Sequence, residues 1–466
     1  MKYCRNIRID EIKQIHFIGI GGIGMSGIAA LMIGLGYKVS GSDLNESEIT
    51  VALRKMGAEV FIGHRNMLPD GTDAAVVSSA IKDDNPEIIA AENNAIPIIH
   101  RSFMLALLSE LKKNITIAGT HGKTTTSSLM AAAFESAGAD ATAVIGGILK
   151  NAGSNIRLGG GEYLIAEADE SDGSFLNFHP LVTCITNIDA DHLDHYGTLE
   201  EIQMAFIRHI SSVPFFGMAI VCSDDAGIRT ILPYVKAPVM TCGINSGADW
   251  QAKNISYADG ISSYEAWFKG KLKGQVRLRQ VGEHNVRNSL LVLAAGSYLG
   301  FNFNDLVKGL AQFNGVKRRL DRKGSAGGIE FIDDYGHHPT EIKATLAALR
   351  MMFPARRIVV LFQPHRYTRT RDLFREFGAS FSDADKIFIA PVYSAGEAEI
   401  PGVSSNLIIQ AIKDNGREAA PFPGVLQLLK DLRKGDIMLT LGAGDVWKTG
   451  MEIKLKKEML GTDLSV

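Results

Sequence analysis

A loop with the residue types that bind phosphate follows the first quarter of the chain. It consists of Gly119-Thr120-His121-Gly122-Lys123-Thr124-Thr125, and it comes directly after the β-branched apolar run Asn114–Ala118. Residues 127–134 then have helical spacing. Backbone N–H groups at a helix N-terminus attract anions. The pattern therefore predicts a strand, a phosphate loop and a helix, with Lys123 on the outer phosphates and Thr124 on a metal ion.

This loop is shorter than the general motif G-x-x-x-x-G-K-[ST], because Ile117 stands where the first glycine is expected. An ordinary strand-to-helix turn with a solvated lysine is the alternative interpretation. The strand before the loop and the helix after it favour the phosphate loop.

Acids and histidines follow the next two predicted strands. Glu167 is the first of four acids in six residues after the strand 162–166, where a phosphate-loop enzyme keeps the carboxylate of its metal site. The strand after that leads to residues 189–195, whose two histidines and three aspartates suit Mg²⁺ or Mn²⁺. A solvated loop and a helix-entry loop are the respective alternatives.

A second glycine loop lies near the N-terminus. Gly19 to Gly27 fit G-x-G-x-x-G in two overlapping registers, and Asp43 ends a strand about 20 residues later, where an acid meets a ribose hydroxyl. The spacing predicts a doubly wound nucleotide-binding domain, and it leaves open whether the ligand is NAD or another diphosphate. Candidate binding residues at later strand ends are Ser78, Ser79, His100 and Arg101.

Two further groups of polar residues occur in the second half of the chain. Asn285 and Asn288 share a face in the first turn of a predicted helix, where amides either read a base edge or cap the helix. Arg366, Arg369 and Arg371 leave one strand end and suit the bidentate binding of a small carboxylate. A solvated basic loop is the alternative for the arginines.

The elements around these residues predict an α/β protein with three domains, each built on a mostly parallel sheet flanked by helices. The length of 466 residues supports about three domains. The predicted boundaries are 1–113, 114–320 and 321–466. Polar and apolar residues alternate over 251–281 and predict antiparallel strands. We predict a basic linker over 315–324 and a polar tail from Lys454 onward.

Composition narrows the class of protein. The 49 basic and 51 acidic residues give a net charge of −2, so nothing favours a nucleic-acid partner. The four cysteines are far apart, which indicates neither a disulfide framework nor a cysteine metal site. No signal segment or membrane-length apolar run is found, and we therefore expect a cytoplasmic protein without membrane insertion.

Taken in order, these motifs resemble those of the Mur ligases across nearly the whole chain. Matching segments include both glycine loops, Glu167–Asp172, Thr186-Asn187-Ile188, Asp191-His192, His284-Asn285, Arg318-Arg319 and Asp334–Pro339. The short phosphate loop is the form that this family uses. Within the family, the chain is most similar to members that join L-alanine to UDP-N-acetylmuramate in peptidoglycan precursor synthesis.

The resemblance implies that the first domain binds a UDP-sugar, the central domain ATP and the last domain the amino acid. It implies Mg²⁺ as cofactor, two ions being expected and Mn²⁺ a substitute, and a monomer or homodimer. The UDP-sugar residues would be Gly21, Gly22, Ile23, Gly24, Asp43, Ser78, Ser79, His100 and Arg101. The ATP residues would be Gly119 to Thr125, Asn285, Asn288, Arg319 and Asp334.

By the same resemblance, Thr124, Glu167 and His192 would bind metal, and Tyr335, His337, Arg366 and Arg369 would form the alanine pocket. Lys123, Glu167, His192 and His337 would carry the chemistry, with His337 as a candidate base for the amine. Three alternatives remain: a ligase that attaches a preformed murein peptide, an NAD-dependent oxidoreductase with an appended ATPase, and a phosphate-loop switch protein.

Overall fold

The computed structural model describes residues 9–78, 80–147, 156–245, 247–258 and 260–462. Three mostly parallel sheets with flanking helices confirm the predicted α/β class and three-domain architecture. The chain forms two compact units. One comprises Met1–Asn254, Tyr264–Arg277 and Arg287–Asn314, and the other comprises Ile255–Ser263, Leu278–Val286 and Gly315–Val466.

The first sheet has five parallel strands in the order β3-β2-β1-β4-β5. They are β1 (Gln14–Ile18), β2 (Lys38–Asp43), β3 (Glu59–Ile62), β4 (Ala74–Val77) and β5 (Ile98–His100). The helices are α1 (Ile23–Gly34), α2 (Glu48–Lys55), α3 (Pro86–Asn93) and α4 (Arg101–Ser109). The central strand β1 is buried throughout, and its two polar residues, Gln14 and His16, are buried with the apolar ones.

The second sheet has ten strands in the order β15-β14-β13-β12-β11-β10-β6-β9-β7-β8. They are β6 (Lys113–Ala118), β7 (Thr142–Val144), β8 (Ile156–Arg157), β9 (Tyr163–Glu167), β10 (Val182–Ile185), β11 (Met218–Cys222), β12 (Val239–Gly243), β13 (Trp250–Ala258), β14 (Ile261–Phe268) and β15 (Lys271–Leu278). Strand β6 pairs in parallel with β9 and β10, so their carboxyl ends meet at one edge of the sheet.

The helices of this part of the chain are α5 (Lys123–Ser136), α6 (Leu193–Tyr196), α7 (Leu199–Ser211), α8 (Ala226–Ile231), α9 (Glu283–Tyr298) and α10 (Phe303–Gln312). Ile115 and Ile117 of β6 are fully buried, and each contributes about 2 kcal/mol of hydrophobic free energy. Strand β6 therefore anchors the loop that follows it in a rigid core.

The third sheet has six strands in the order β16-β17-β21-β18-β19-β20, of which β16 is antiparallel to β17. They are β16 (Asp321–Ala326), β17 (Ile329–Asp334), β18 (Ile358–Phe362), β19 (Lys386–Ile389), β20 (Ala419–Pro421) and β21 (Ile437–Leu441). The helices are α11 (Pro339–Met352), α12 (Tyr367–Gly378), α13 (Ser405–Asp414), α14 (Val425–Asp431) and α15 (Val446–Thr462).

Three details differ from the sequence-based expectations. The predicted linker ends in edge strand β16, whose polar residues face solvent on one side. The residues predicted as a polar tail from Lys454 onward are helical up to Thr462, because α15 continues to that residue. Helix α5 begins at Lys123 rather than near Ser127. Within the described ranges, no helix has both the length and the apolar character needed to cross a membrane.

Candidate active site

The loop between β6 and α5 is held by the residues that follow β10. Gly119 and Gly122 have φ values of +131° and +85°, which favour glycine. A Cβ at Gly119 would collide with the Thr186 hydroxyl, and the same hydroxyl donates to His121 O at 2.6 Å. The Asn187 side chain accepts from His121 N at 2.8 Å and donates to His121 O at 2.9 Å. Strand β10 thus fixes the loop from the side.

Lys123 is enclosed by its own loop and by one carboxylate. Its Nζ donates to Gly119 O at 2.8 Å and to Thr120 O at 3.3 Å. It also lies 2.8 Å from each carboxylate oxygen of Glu170, whose side chain is 2% exposed. Sequence reasoning singled out Glu167 among the acids after β9 and missed this partner. The lysine is therefore held in the loop by a buried ion pair.

The charges around Lys123 keep it protonated. Burial acts to lower the pKa of Lys123, but the carboxylates of Glu170, Asp169 and Glu167 outweigh burial and raise the pKa above its usual value. The ammonium is then a permanent positive charge inside the phosphate loop, as the binding of phosphate requires.

Thr124 and Glu167 meet at the other side of the loop. The Thr124 hydroxyl donates to Glu167 Oε2 at 3.1 Å. Glu167 Oε1 accepts from the Ser127 hydroxyl at 2.9 Å and from Gly146 N at 2.8 Å. Burial raises the pKa of Glu167 despite these donors. A buried carboxylate beside a hydroxyl is an all-oxygen donor set of the kind that Mg²⁺ prefers.

His192 lies on the same side as the Lys123–Glu170 pair. Its Nε2 is 3.8 Å from Glu170 Oε1 and 3.7 Å from Asp191 Oδ2. Its backbone is left-handed with φ +57°, and its N–H donates to Asp191 Oδ1 at 2.8 Å. The structure therefore places the third predicted metal ligand next to Glu170.

Two of the predicted UDP-sugar residues contact the N-terminal glycine loop. Asp43, the last residue of β2, accepts from Gly21 N at 2.8 Å. A Cβ on Gly24 would lie 2.8 Å from the Arg101 guanidinium, so the arginine lies directly over the first turn of α1. Gly22 is the N-cap residue of this helix. The acid and the arginine thus enclose the loop.

The remaining UDP-sugar predictions fall around β4 and β5. Ser78 follows β4, Ser79 is outside the described residues, and Ile23 begins α1 with a side chain outside the described part. His100 ends β5, and its Nδ1 is 2.7 Å from the Ser102 hydroxyl. Burial lowers the pKa of His100, against the nearby carboxylate of Asp172.

Arg101, at the N-terminal glycine loop, interacts electrostatically with Asp169, near the phosphate loop. Burial acts to raise the pKa of Asp169, but Lys123, the Ser171 N–H, His192 and Arg101 together lower it. Arg101 begins helix α4, directly after β5 of the first sheet, and Asp169 follows β9 of the second sheet. Arg101, which lies over the N-terminal glycine loop, is therefore within electrostatic range of Asp169, which lies near Lys123 of the phosphate loop.

Helix α9 approaches the phosphate loop through Asn288. A Cβ on Gly122 would lie 3.2 Å from Asn288 Oδ1, and Asn288 is buried. The preceding turn is fixed by Arg287, whose Nε donates to Asp224 Oδ2 at 2.7 Å. Asn285 donates its side-chain amide to Val281 O at 3.0 Å. The sequence analysis predicts no role for Asp224, because its partner Arg287 is 63 residues away in the sequence.

In the second unit, Asp334 and Arg319 lie around the end of β17. The Asp334 carboxylate is buried and accepts from Leu320 N at 2.7 Å and Gly336 N at 2.8 Å. Burial raises the pKa of Asp334. Arg319 donates to Glu341 at 3.3 Å.

The predicted alanine-pocket residues gather near the ends of β17 and β18. The His337 ring is 5.4 Å from the Tyr335 ring, and His337 N donates to Glu341 at 2.9 Å. Arg366 has φ +71° and precedes α12, and Arg369 donates to the His365 carbonyl at 3.4 Å. Arg371 points elsewhere and pairs with Asp372 at 2.6 Å.

Comparison with known proteins agrees with this geometry. Three family models match the chain: Mur ligase family, catalytic domain, over residues 14–113; Mur ligase middle domain over 117–296; and Mur ligase, glutamate ligase domain, over 318–444. The chain belongs to the Mur ligase family.

Three known proteins are similar over nearly the full length of the chain. A protein of Endomicrobium trichonymphae named UDP-N-acetylmuramate–L-alanine ligase is 48% identical over 441 residues, which are 95% of this chain and 98% of the relative. The crystal structure of the UDP-N-acetylmuramate-alanine ligase of Thermotoga maritima has a TM-score of 0.79 at 29% identity, covering 96% of this chain and 99% of that one. A murein peptide ligase from Psychrobacter arcticus has the same fold, with a TM-score of 0.69 at 24% identity over 96% of this chain and 99% of that one.

Proposed function

We propose that this protein is an ATP-dependent ligase that joins L-alanine to the carboxylate of UDP-N-acetylmuramate. The products are UDP-N-acetylmuramoyl-L-alanine, ADP and phosphate. The observation that carries the proposal is the 48% identity, across 95% of the chain, to a relative named for this reaction. The buried lysine of the phosphate loop and the adjacent glycine loop support it independently.

The reaction needs ATP because a carboxylate is a poor electrophile. An oxygen of the UDP-N-acetylmuramate carboxylate attacks the γ-phosphorus of ATP, the bond to the bridging oxygen breaks, and ADP leaves. The resulting acyl phosphate has a carbonyl carbon that the alanine nitrogen attacks. The nitrogen gives up one proton of the ammonium form before it attacks. Phosphate then leaves with the electron pair of the C–O bond, and the nitrogen loses a second proton, so that the amide keeps one N–H.

The residues of the chain meet the electrostatic demand of bringing two anions together. Lys123 is a permanent cation beside the loop N–H groups, and it stabilises the phosphoryl oxygens during transfer. Asn288 lies against the loop at Gly122, and we expect it to contact the adenine of ATP. Arg101 and the N–H groups of the N-terminal glycine loop suit the diphosphate of the UDP-sugar.

The donor set of this chain fits a magnesium ion. Thr124 and Glu167 would hold it, since both offer oxygen atoms and burial makes the Glu167 carboxylate favour a compensating cation. His192 would take part in a second metal site. When bound, Mg²⁺ neutralises phosphate charge and polarises the transferred group. The other residues of the site bind, orient and shield the substrates.

The nearest alternative is a ligase that attaches a preformed murein peptide to the same sugar nucleotide. The test is phosphate release from ATP and Mg²⁺ with UDP-N-acetylmuramate, with and without L-alanine, together with the mass of the product. We expect release that needs both substrates and a product heavier by one alanine residue. Phosphate release that occurs only with a murein peptide would replace the proposal with the alternative. If phosphate is released neither with L-alanine nor with the peptide, both functions are refuted.

A further inference from the structure

Glu170 occupies the lysine that the phosphates of a nucleotide need. The Lys123 ammonium carries three hydrogens and has four acceptors within hydrogen-bond distance, which are the carbonyl oxygens of Gly119 and Thr120 and both carboxylate oxygens of Glu170. The protein's own acceptors therefore suffice for every hydrogen of this ammonium. Since the two carbonyl groups belong to the loop itself, a phosphate oxygen binds Lys123 by replacing Glu170.

The backbone of Glu170 is fixed, whereas its carboxylate can exchange partners. The Glu170 carbonyl accepts from the Tyr196 hydroxyl at 2.6 Å and from Gly173 N at 3.0 Å. Nε2 of His192 lies 3.8 Å from Glu170 Oε1, so a second basic group is close to the same carboxylate. Rotation of the Glu170 side chain alone therefore releases Lys123, while the segment that carries the acid stays in place.

Lys123 faces several carboxylates in addition to its ion-pair partner. Asp169 and Glu167 also act electrostatically on the ammonium. Glu170 itself is 2% exposed, so solvent and salt screen its charge weakly. A metal-free triphosphate adds further negative charge at this point, and it must also displace Glu170. A triphosphate that carries a divalent cation brings positive charge that offsets the carboxylates.

We propose that Glu170 makes the phosphate loop selective for nucleotide that carries a divalent cation. While the ion pair is formed, a metal-free polyphosphate finds no available ammonium and meets a buried negative charge. A nucleotide with its cation compensates the Glu170 carboxylate as Lys123 moves to the phosphates. This inference rests on the proposed function, in which Lys123 binds the phosphates of ATP. It gives Glu170 a role in specificity that the sequence-based predictions do not contain.

The experiment measures the dissociation constant of ATP for the full-length protein by titration calorimetry, once with EDTA and once with saturating Mg²⁺. Glu170→Gln removes the charge and keeps the size of the side chain. In this variant we expect the dissociation constant of metal-free ATP to fall at least about 10-fold, while that of Mg²⁺-bound ATP changes less than about threefold. Metal-free tripolyphosphate should show the same gain, because the selectivity concerns the phosphates alone.

Glu135→Gln is the matched control. It makes the same change of charge at the other end of α5, where Glu135 is exposed and pairs with Arg157. Both dissociation constants should stay within about twofold of wild type. Glu170→Ser is the second variant if Glu170→Gln does not fold. It admits water to the ammonium, and it should strengthen the binding of metal-free ATP in the same direction.

The inference is overturned if metal-free ATP binds Glu170→Gln no more tightly than wild type. Equal weakening of both forms of ATP would also overturn it, since that result assigns Glu170 to the structure of the loop. Weakening of Mg²⁺-bound ATP alone would make Glu170 a metal ligand instead.

Lys123→Met tests the proposed function separately. If this variant binds Mg²⁺-bound ATP as tightly as wild type, the phosphate-binding role of Lys123 fails, and the inference fails with it. If Lys123→Met loses binding and Glu170→Gln gains none, only the inference about Glu170 fails.

Discussion

The ion pair between Lys123 and Glu170 gives Lys123 a structural role that is separable from its role in catalysis. Lys123→Met removes the ammonium that lies 2.8 Å from both carboxylate oxygens, and it leaves the Glu170 carboxylate, 2% exposed, without its charge partner. Breaking a buried pair by removing one partner costs about 3–5 kcal/mol of the free energy of unfolding. The same change removes the cation for the phosphates, which should lower kcat about 1000-fold.

A second substitution separates the two effects. In Lys123→Met with Glu170→Met, the unpaired carboxylate is gone and two apolar side chains fill the space. Replacing a buried pair by apolar groups is often close to neutral. We therefore expect most of the lost stability to return while turnover stays near the level of Lys123→Met. Urea unfolding measures the first quantity, and alanine-dependent phosphate release measures the second.

Three results would refute this reasoning. Turnover of Lys123→Met within tenfold of wild type would remove Lys123 from the phosphate site. A loss of less than about 1 kcal/mol in the single variant would mean that the pair is not buried as described. Failure of Glu170→Met to restore stability in the Lys123→Met background would show that the destabilisation has another source. Binding of UDP-N-acetylmuramate should be unaffected in each variant and serves as the control.

Further predictions concern acid stability, the alanine pocket and the metal site. Burial lowers the pKa of His209 in the folded protein to about 4, below its usual 6.5. Between these two pH values the unfolded chain therefore binds more protons than the folded protein. The stability that His209 allows above pH 6.5 is lost as the pH falls towards 4. His209→Gln should reduce the acid-dependent loss in urea unfolding by about 3 kcal/mol, whereas the exposed His179→Gln should leave it unchanged. Arg366→Ala should raise the KM for alanine at least about tenfold and Arg371→Ala should not, so equal effects would contradict the predicted pocket. Glu167→Gln should raise the Mg²⁺ concentration for half-maximal activity by at least about tenfold, and an unaltered titration would exclude Glu167 as a ligand.

The fold could be predicted from the sequence because each domain contains short apolar segments followed by glycines or acids, a pattern that is typical of parallel strands and the loops after them. Strand β6 and its loop illustrate this, since Ile115 and Ile117 are apolar by sequence and buried in the structure. The edge strand β16 was not predicted because an exposed edge tolerates charged residues such as Arg322, and the basic residues of this segment resemble a linker. Helix α15 was missed because its exposed face is rich in lysine.

The partners within the site were less predictable than the elements. One acid ends β9 and three follow it, and the one that meets Lys123 is Glu170, shortly before the turn at Gly173, with φ +71°, and the short 3₁₀ helix Ser174–Asn177. Spacing alone carries no such information. Asp224 and Arg287 are 63 residues apart in the sequence, so their pairing becomes visible only in the structure.

The contact between Gly24 and Arg101 has a consequence for how this sequence can change over time. A methyl group at position 24 would lie 2.8 Å from the guanidinium, so even the smallest replacement requires the tip of the arginine side chain to shift. We therefore expect substitutions at positions 24 and 101 to be correlated. We expect family members with a larger residue at the first position to have lost the arginine at the second, and laboratory selection for Gly24→Ala to recover compensating changes at position 101.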